Sequence, residues 1–156
     1  MQTHIVAKTI IFNGAGKLLA LRRSADDTHR PGGFDFPGGQ ADDSETIVAT
    51  AIREAVEESG LHLKAENMQL VFATTKVGFQ VEQQTNVNIV WLGFVTTVDD
   101  GQVVRLSHEH QRFDWYTLEE ALAECDGPTQ KQFLNHLHNH ELTDGLRSKQ
   151  SNQNSV

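Results

Sequence analysis

The chain has 156 residues, 38% of them apolar and 22% charged, with a formal net charge of −8 at pH 7. That composition suits one globular domain with its own core. The negative charge argues against a nucleic-acid backbone as the main partner. The only cysteine, Cys125, excludes an intrachain disulfide and suits a reducing, cytoplasmic setting. No stretch approaches the roughly 18 apolar residues of a membrane span, and Met1 to His4 do not open a leader peptide.

Ile5 to Phe12 is apolar and β-branched and reads as a strand. Asn13 to Gly16 is a turn and Lys17 to Arg22 a second strand, so the pair reads as a hairpin. Ser24 to Gly33 is a polar loop. Phe34-Asp35-Phe36 is a short extended piece before Pro37-Gly38-Gly39. A helix follows, with Asp42, Ser44 or Thr46 as its cap. Val48, Ile52 and Val56 recur every fourth residue, as do Ile47, Ala51 and Ala55, and Gly60 ends the pattern. Met68 to Val77 and Val87 to Thr97 are strand-like, parted by the polar Glu82 to Thr85. Asp99-Asp100-Gly101 is a turn, Trp115-Tyr116 a short strand, and Leu118 to Glu124 and Pro128 to His140 helices. From Thr143 to Val156 the chain is rich in Ser, Asn and Gln, a tail expected to lack fixed structure. Strands interleaved with helices point to a mixed sheet covered on both faces.

The first helix carries the most informative pattern. Gly39 is followed after five residues by Glu45, after seven more by Arg53-Glu54, then by Glu57-Glu58, Gly60 and Leu61. At 3.6 residues per turn, Glu54, Glu57 and Glu58 fall within roughly 100° of one helix face. Like charges that close repel, and a cation on that face removes the conflict. All-oxygen ligands suit Mg²⁺ or Mn²⁺ rather than zinc.

The segment resembles the Nudix box, G-x5-E-x7-R-E-U-x-E-E-x-G-U, where U is a bulky aliphatic residue. Every fixed position is present. Ala55 stands where Ile, Leu or Val is usual, which removes packing but no ligand. The resemblance implies an α/β fold, a Nudix-type α/β/α sandwich with a mixed central sheet, as a single domain over residues 1–142. It implies Mg²⁺-dependent hydrolysis of a nucleoside diphosphate linked to another group, with Mn²⁺ able to substitute. Glu54, Glu57 and Glu58 would then hold metal, joined by a backbone carbonyl of Gly38 or Gly39. Arg53 lies four residues before Glu57, which suits an ion pair that orients that carboxylate. Glu45 falls at the helix start, where negative charge is favoured.

Similar enzymes carry a loop glutamate a few residues before a Trp-containing strand, as general base or extra ligand. Glu109, six residues before Trp115, fits. Either Glu109 or a box glutamate such as Glu57 takes the proton from water. His108 and His110 flank it and are candidates for substrate contact or proton transfer. Arg23, ending the second strand with Arg22, is a candidate phosphate contact. Phe79, Phe94 or Trp91 could stack on a base. His136 and His140 share a helix face but read as surface residues.

The partner expected is a small-molecule nucleotide, bound by a monomer or homodimer. Lys76-Val77-Gly78-Phe79 holds neither the proline nor the tyrosine that marks ADP-ribose or dinucleoside polyphosphate specificity in related subfamilies. That leaves nucleoside triphosphates as the leading class, with ADP-ribose or a nucleotide sugar behind them. A non-catalytic nucleotide-sensing module is the alternative of another class.

Overall fold

A computed structural model describes residues 1–81 and 84–140. The polar tail from Thr143 lies outside the described residues. Among the described residues, seven strands, three α-helices and one 3-10 turn build the fold. Strands β1 (Thr3–Phe12), β2 (Leu18–Arg23), β3 (Phe34–Asp35) and β4 (Gly38–Gln40) precede helix α1 (Ile47–Ser59). A 3-10 turn at Ala65–Asn67 leads to strands β5 (Gln69–Val81), β6 (Gln84–Thr97) and β7 (His110–Tyr116). Helices α2 (Leu118–Glu124) and α3 (Pro128–Asn139) close the order.

The sheet runs β3-β2-β1-β6-β5, with β4 on β1 and β7 on β2. β1 and β6 are parallel over ten positions, from Thr3↔Asn88 to Phe12↔Thr97, and the other pairings are antiparallel. Alternation along β1 and β2 assigns the two faces. Ile10, Phe12, Leu18 and Ala20 pack with Ala121, Phe133, Leu134 and Leu137 of α2 and α3. Ala7, Ile11, Leu19 and Leu21 turn the other way, onto Ala51 and Ala55 of α1. The expected α/β/α sandwich with a mixed sheet is therefore what the chain forms. Ala55 is fully buried in that second core.

One feature of the sheet makes the site. β1 and β2 pair only at Phe12↔Leu18 and then diverge. The strap from Phe34 to Gln40 fills the gap, β3 bonding to β2 and β4 to β1. Gly38 is required there. Its φ of 149° disfavours any side chain, and a Cβ would collide with the Ala7 carbonyl and Lys8 Cα. The sequence left β4 out because three residues rich in glycine carry no strand signal. β7 begins at His110, five residues before the expected Trp115, because it pairs along all of β2. The β5 and β6 strands likewise extend past the expected bounds, as one long hairpin.

Candidate active site

Thr46 is the cap of α1. Its hydroxyl accepts the Ala49 N–H at 3.2 Å, and Gly60 closes the helix with φ 72°. This fixes the phase of the glutamates. Glu58 turns inward and is only 6% exposed. Its Oε2 accepts the Gly38 N–H at 3.0 Å. Glu54 is half-buried against Gly39, where an added Cβ would meet its carboxylate. Glu57 looks outward, its side chain 55% exposed.

Arg53 is held harder than helix spacing alone predicts. Its Nε and Nη2 donate to the two Glu45 oxygens at 2.6 and 3.1 Å, a bidentate pair. Its Nη1 donates to Glu54 at 2.8 Å and to Glu57 at 3.2 Å. Glu45 is thus a clamp on Arg53 rather than a dipole partner within the helix. The hydrogen bonds from Arg53 and Thr50 pull its carboxyl down to about 2.

Burial acts the other way on the inner carboxylates. It pushes Glu58 up to about 8, against the attraction of Lys8, and raises Glu54 as well. Among the described residues, no three His, Cys, Asp or Glu side chains converge on one point. Glu54 and Glu57 are turned to Arg53 and Glu58 to Gly38. The donor set nonetheless fits a hard cation: carboxylates on one helix, two of them disfavoured as anions, with the Gly38-Gly39 backbone against them. A divalent ion would remove the cost that burial places on their charge.

These groups line one cleft of about 920 Å³, large for a ligand pocket, whose usual range is roughly 300–1,000 Å³. Glu54, Glu57, Glu58, Gly38 and Gly39 share it with Arg23, Phe79, His108 and Glu109. The expected site residues are therefore brought together. The Glu109 loop is pinned from both sides. Ser107 N–H reaches the Glu58 carbonyl at 3.4 Å, and the Glu109 carbonyl accepts Ser24 N–H at 2.9 Å. Its side chain is left exposed. Arg23 is steadied by Asp27 at 3.0 Å.

Phe79 is 38% exposed, with the Lys76 ammonium 5.2 Å from its ring centre. Trp91 borders the cleft but packs edge-to-face on Phe72 and Phe133. Phe94 is core beneath α1 and does not reach the cleft. Arg22 leaves for Glu124 and the Phe34 ring. The His136 and His140 rings stack on each other at 4.2 Å on α3.

The cleft's buried lining adds Lys8, Asp35 and Gln130, which no sequence motif marks, to the candidate His110. Lys8 Nζ donates to Asp35 Oδ2 at 3.0 Å and to the Phe36 carbonyl at 3.2 Å. Asp35 Oδ1 accepts Gln130 Nε2 at 3.0 Å. Burial would raise Asp35, yet Lys8 and Arg23 hold it below the usual carboxylate range. His110 is buried with its Nδ1 unpartnered, and burial lowers its pKa. A lysine inside Ile5–Phe12 and an aspartate between two phenylalanines were the available signals. Gln130 offered none.

The NUDIX domain family model matches residues 2–137. Mouse bis(5'-nucleosyl)-tetraphosphatase [asymmetrical] is 34% identical over 119 residues, 76% of this chain and 74% of that protein. A MutT protein crystal structure from Methanosarcina mazei Go1 superposes with TM-score 0.73 at 24% identity, over 90% of this chain and 96% of the other. A C. elegans Ap4A hydrolase binary complex gives TM-score 0.66 at 23% identity, over 87% and 96%. These two structures show the shared fold.

Proposed function

The chain belongs to the Nudix hydrolases, enzymes that act on nucleoside diphosphates linked to another moiety and use divalent cations, and from that premise we propose that it hydrolyses a phosphoanhydride bond of dinucleoside polyphosphates. The observation that carries this reading is the opening of the acidic α1 face, the Gly38-Gly39 backbone and Glu109 onto one large cleft. In chemical terms, water attacks one phosphorus and the P–O–P bond breaks. Diadenosine tetraphosphate would give ATP and AMP.

In this reading Glu54, Glu57 and Glu58 hold Mg²⁺, with Mn²⁺ able to replace it, and a carbonyl of Gly38 or Gly39 completes the oxygen set. When bound, such an ion offsets phosphate charge and acidifies a water molecule. Glu109 accepts the proton from the attacking water. Arg53 fixes the Glu54 and Glu57 carboxylates through its clamp by Glu45. Arg23 meets phosphate, and Phe79 offers a ring face to a base.

The choice of dinucleoside polyphosphates over the triphosphates expected from sequence rests on two supports. One is the 34% identity to the mouse tetraphosphatase. The other is the reach of the cleft across β1, from Phe79 on β5 to the Asp26–Arg30 loop after β2. Two nucleosides joined by one polyphosphate chain suit such a span. The missing subfamily tyrosine at Lys76–Phe79 favours nucleoside triphosphates, which are the second reading and would yield a monophosphate and pyrophosphate.

A chromatographic product assay decides. Diadenosine tetraphosphate, the eight common nucleoside triphosphates and ADP-ribose are each incubated with enzyme in Mg²⁺ and in EDTA. We expect the highest kcat/KM on the dinucleotide, ATP and AMP as products, and no turnover in EDTA. Preference for a triphosphate would establish the second reading, and turnover in EDTA would remove the metal assignment.

A further inference from the structure

Lys8 lines the cleft at 8% exposure, inside a strand whose neighbours Ala7, Ile10 and Ile11 are core. An ammonium there costs far more in desolvation than an apolar chain of similar length, and stability alone would favour methionine. Its three N–H donors need acceptors. Asp35 Oδ2 and the Phe36 carbonyl take two. The third has no protein acceptor among the described residues.

Lys8 faces Gly38 across β1 and β4, so no side chain separates it from the strap that bonds Glu58. Of the other basic groups at the cleft, Arg30 is taken by Phe34 and Asp126 and the Arg23 Nε by Asp27, Lys76 lies over the Phe79 ring, and Arg53 beside the cleft is taken by its carboxylates. A polyanion entering beside Asp35, Glu54, Glu57 and Glu58 meets four carboxylates, and a fixed cation with an open donor offsets them. Burial tends to discharge Lys8, but Asp35 and Glu58 hold its pKa above the ordinary lysine value, so it enters as a cation.

We propose that Lys8 is a substrate-positioning residue, pre-oriented by Asp35 and the Phe36 carbonyl, whose third N–H takes a non-bridging oxygen of the substrate's diphosphate beside Glu58 and Gly38. The assignment rests on the reading of this cleft as a diphosphate site. It differs from a purely structural pin of the strap, which would act on folding and on the metal glutamates together.

The test compares Asp35→Asn with Lys8→Met/Asp35→Asn, so that neither variant buries an unpaired carboxylate at position 35. Calorimetry reads the affinity for imidodiphosphate, a non-hydrolysable P–N–P probe without a nucleoside, in saturating Mg²⁺. Paramagnetic resonance reads Mn²⁺ affinity without the probe, and thermal melts read folding. Asp35→Asn should bind the probe within about threefold of wild type, whereas the double variant should lose about tenfold or more, as for a lost charged hydrogen bond. Mn²⁺ affinity should agree between the two variants, and the Tm of the double variant should be no lower than that of Asp35→Asn.

Equal probe affinity in the two variants would overturn the proposal. So would a joint fall of Tm and Mn²⁺ affinity in the double variant, or failure of the wild-type protein to bind imidodiphosphate. If the variants separate on the probe while wild type cleaves no nucleotide, the proposed reaction fails and the Lys8 assignment stands.

Discussion

Glu57 and Glu58 are adjacent in sequence and opposite in environment. Glu57 is solvated and already paired with Arg53, while Glu58 is buried with a single backbone donor. Their glutamine variants should therefore separate. Glu57→Gln should lower kcat by at least about 100-fold, the size of a lost electrostatic element, with Tm unchanged. Glu58→Gln should also abolish turnover, yet raise the Tm of the metal-free protein, because it removes a charge that burial disfavours. A lower metal-free Tm in Glu58→Gln would mean that the Gly38 contact outweighs desolvation. Glu109 has no buried contact to lose, being exposed in a loop held by its backbone. If it is the base, Glu109→Gln lowers kcat strongly with KM and Tm nearly constant. Turnover within about twofold of wild type would move the base to the helix glutamates.

The helix and the strap are built with different tolerance. Thr46 caps α1 with one hydroxyl contact, and Thr46→Ala should cost about 1 kcal/mol, read by urea unfolding. The strap has less slack. At Gly38 a Cβ meets the backbone of Ala7 and Lys8, which cannot rotate away, and the φ itself resists any side chain. Gly38→Ala should cost at least about 2 kcal/mol and break the hydrogen bond to Glu58. Parity between the two variants would mean that β4 shifts freely off β1, contrary to the register of Val6↔Gln40 to Lys8↔Gly38. The glycine that must approach backbone closely thus sits where the strap meets β1.

Across the whole molecule, the proposed reading links protonation and metal occupancy through Glu58. Its pKa, pushed up to about 8 by burial, lies above the unfolded glutamate value. The folded state therefore binds the extra proton, and stability falls as pH rises between those two values. His110 has the opposite sign, since burial lowers its pKa, but its contribution is complete near the unfolded histidine value of about 6.5. Between pH 7 and 8, metal-free protein should lose up to about 1.4 kcal/mol from Glu58 alone. Saturating Mg²⁺ or the Glu58→Gln change should flatten that slope. Calorimetric melts across this window in EDTA and in Mg²⁺ provide the check, and a flat profile in EDTA would remove Glu58 as the buried titrating group. Among the described residues no helix is long and apolar enough to cross a membrane.

The sequence by itself determined the helix that carries the acidic cluster and most of the elements. Local pattern carries that information: helical spacing from Ile47 to Val56, three cap candidates of which the structure uses Thr46, a glycine at position 60, and glutamates whose phase follows from 3.6 residues per turn. The same local logic found β1, β2, α2 and α3 to within a few residues. Only the tertiary structure decided which polar groups would be buried. That Glu58 points inward while Glu57 points out depends on what α1 packs against. The clamp of Glu45 on Arg53 spans eight residues, and that of Lys8 on Asp35 spans 27. Gln130 reaches Asp35 across 95. Such pairs leave no periodic trace, because the separation that joins them is set by sheet order and not by the repeat of any one element.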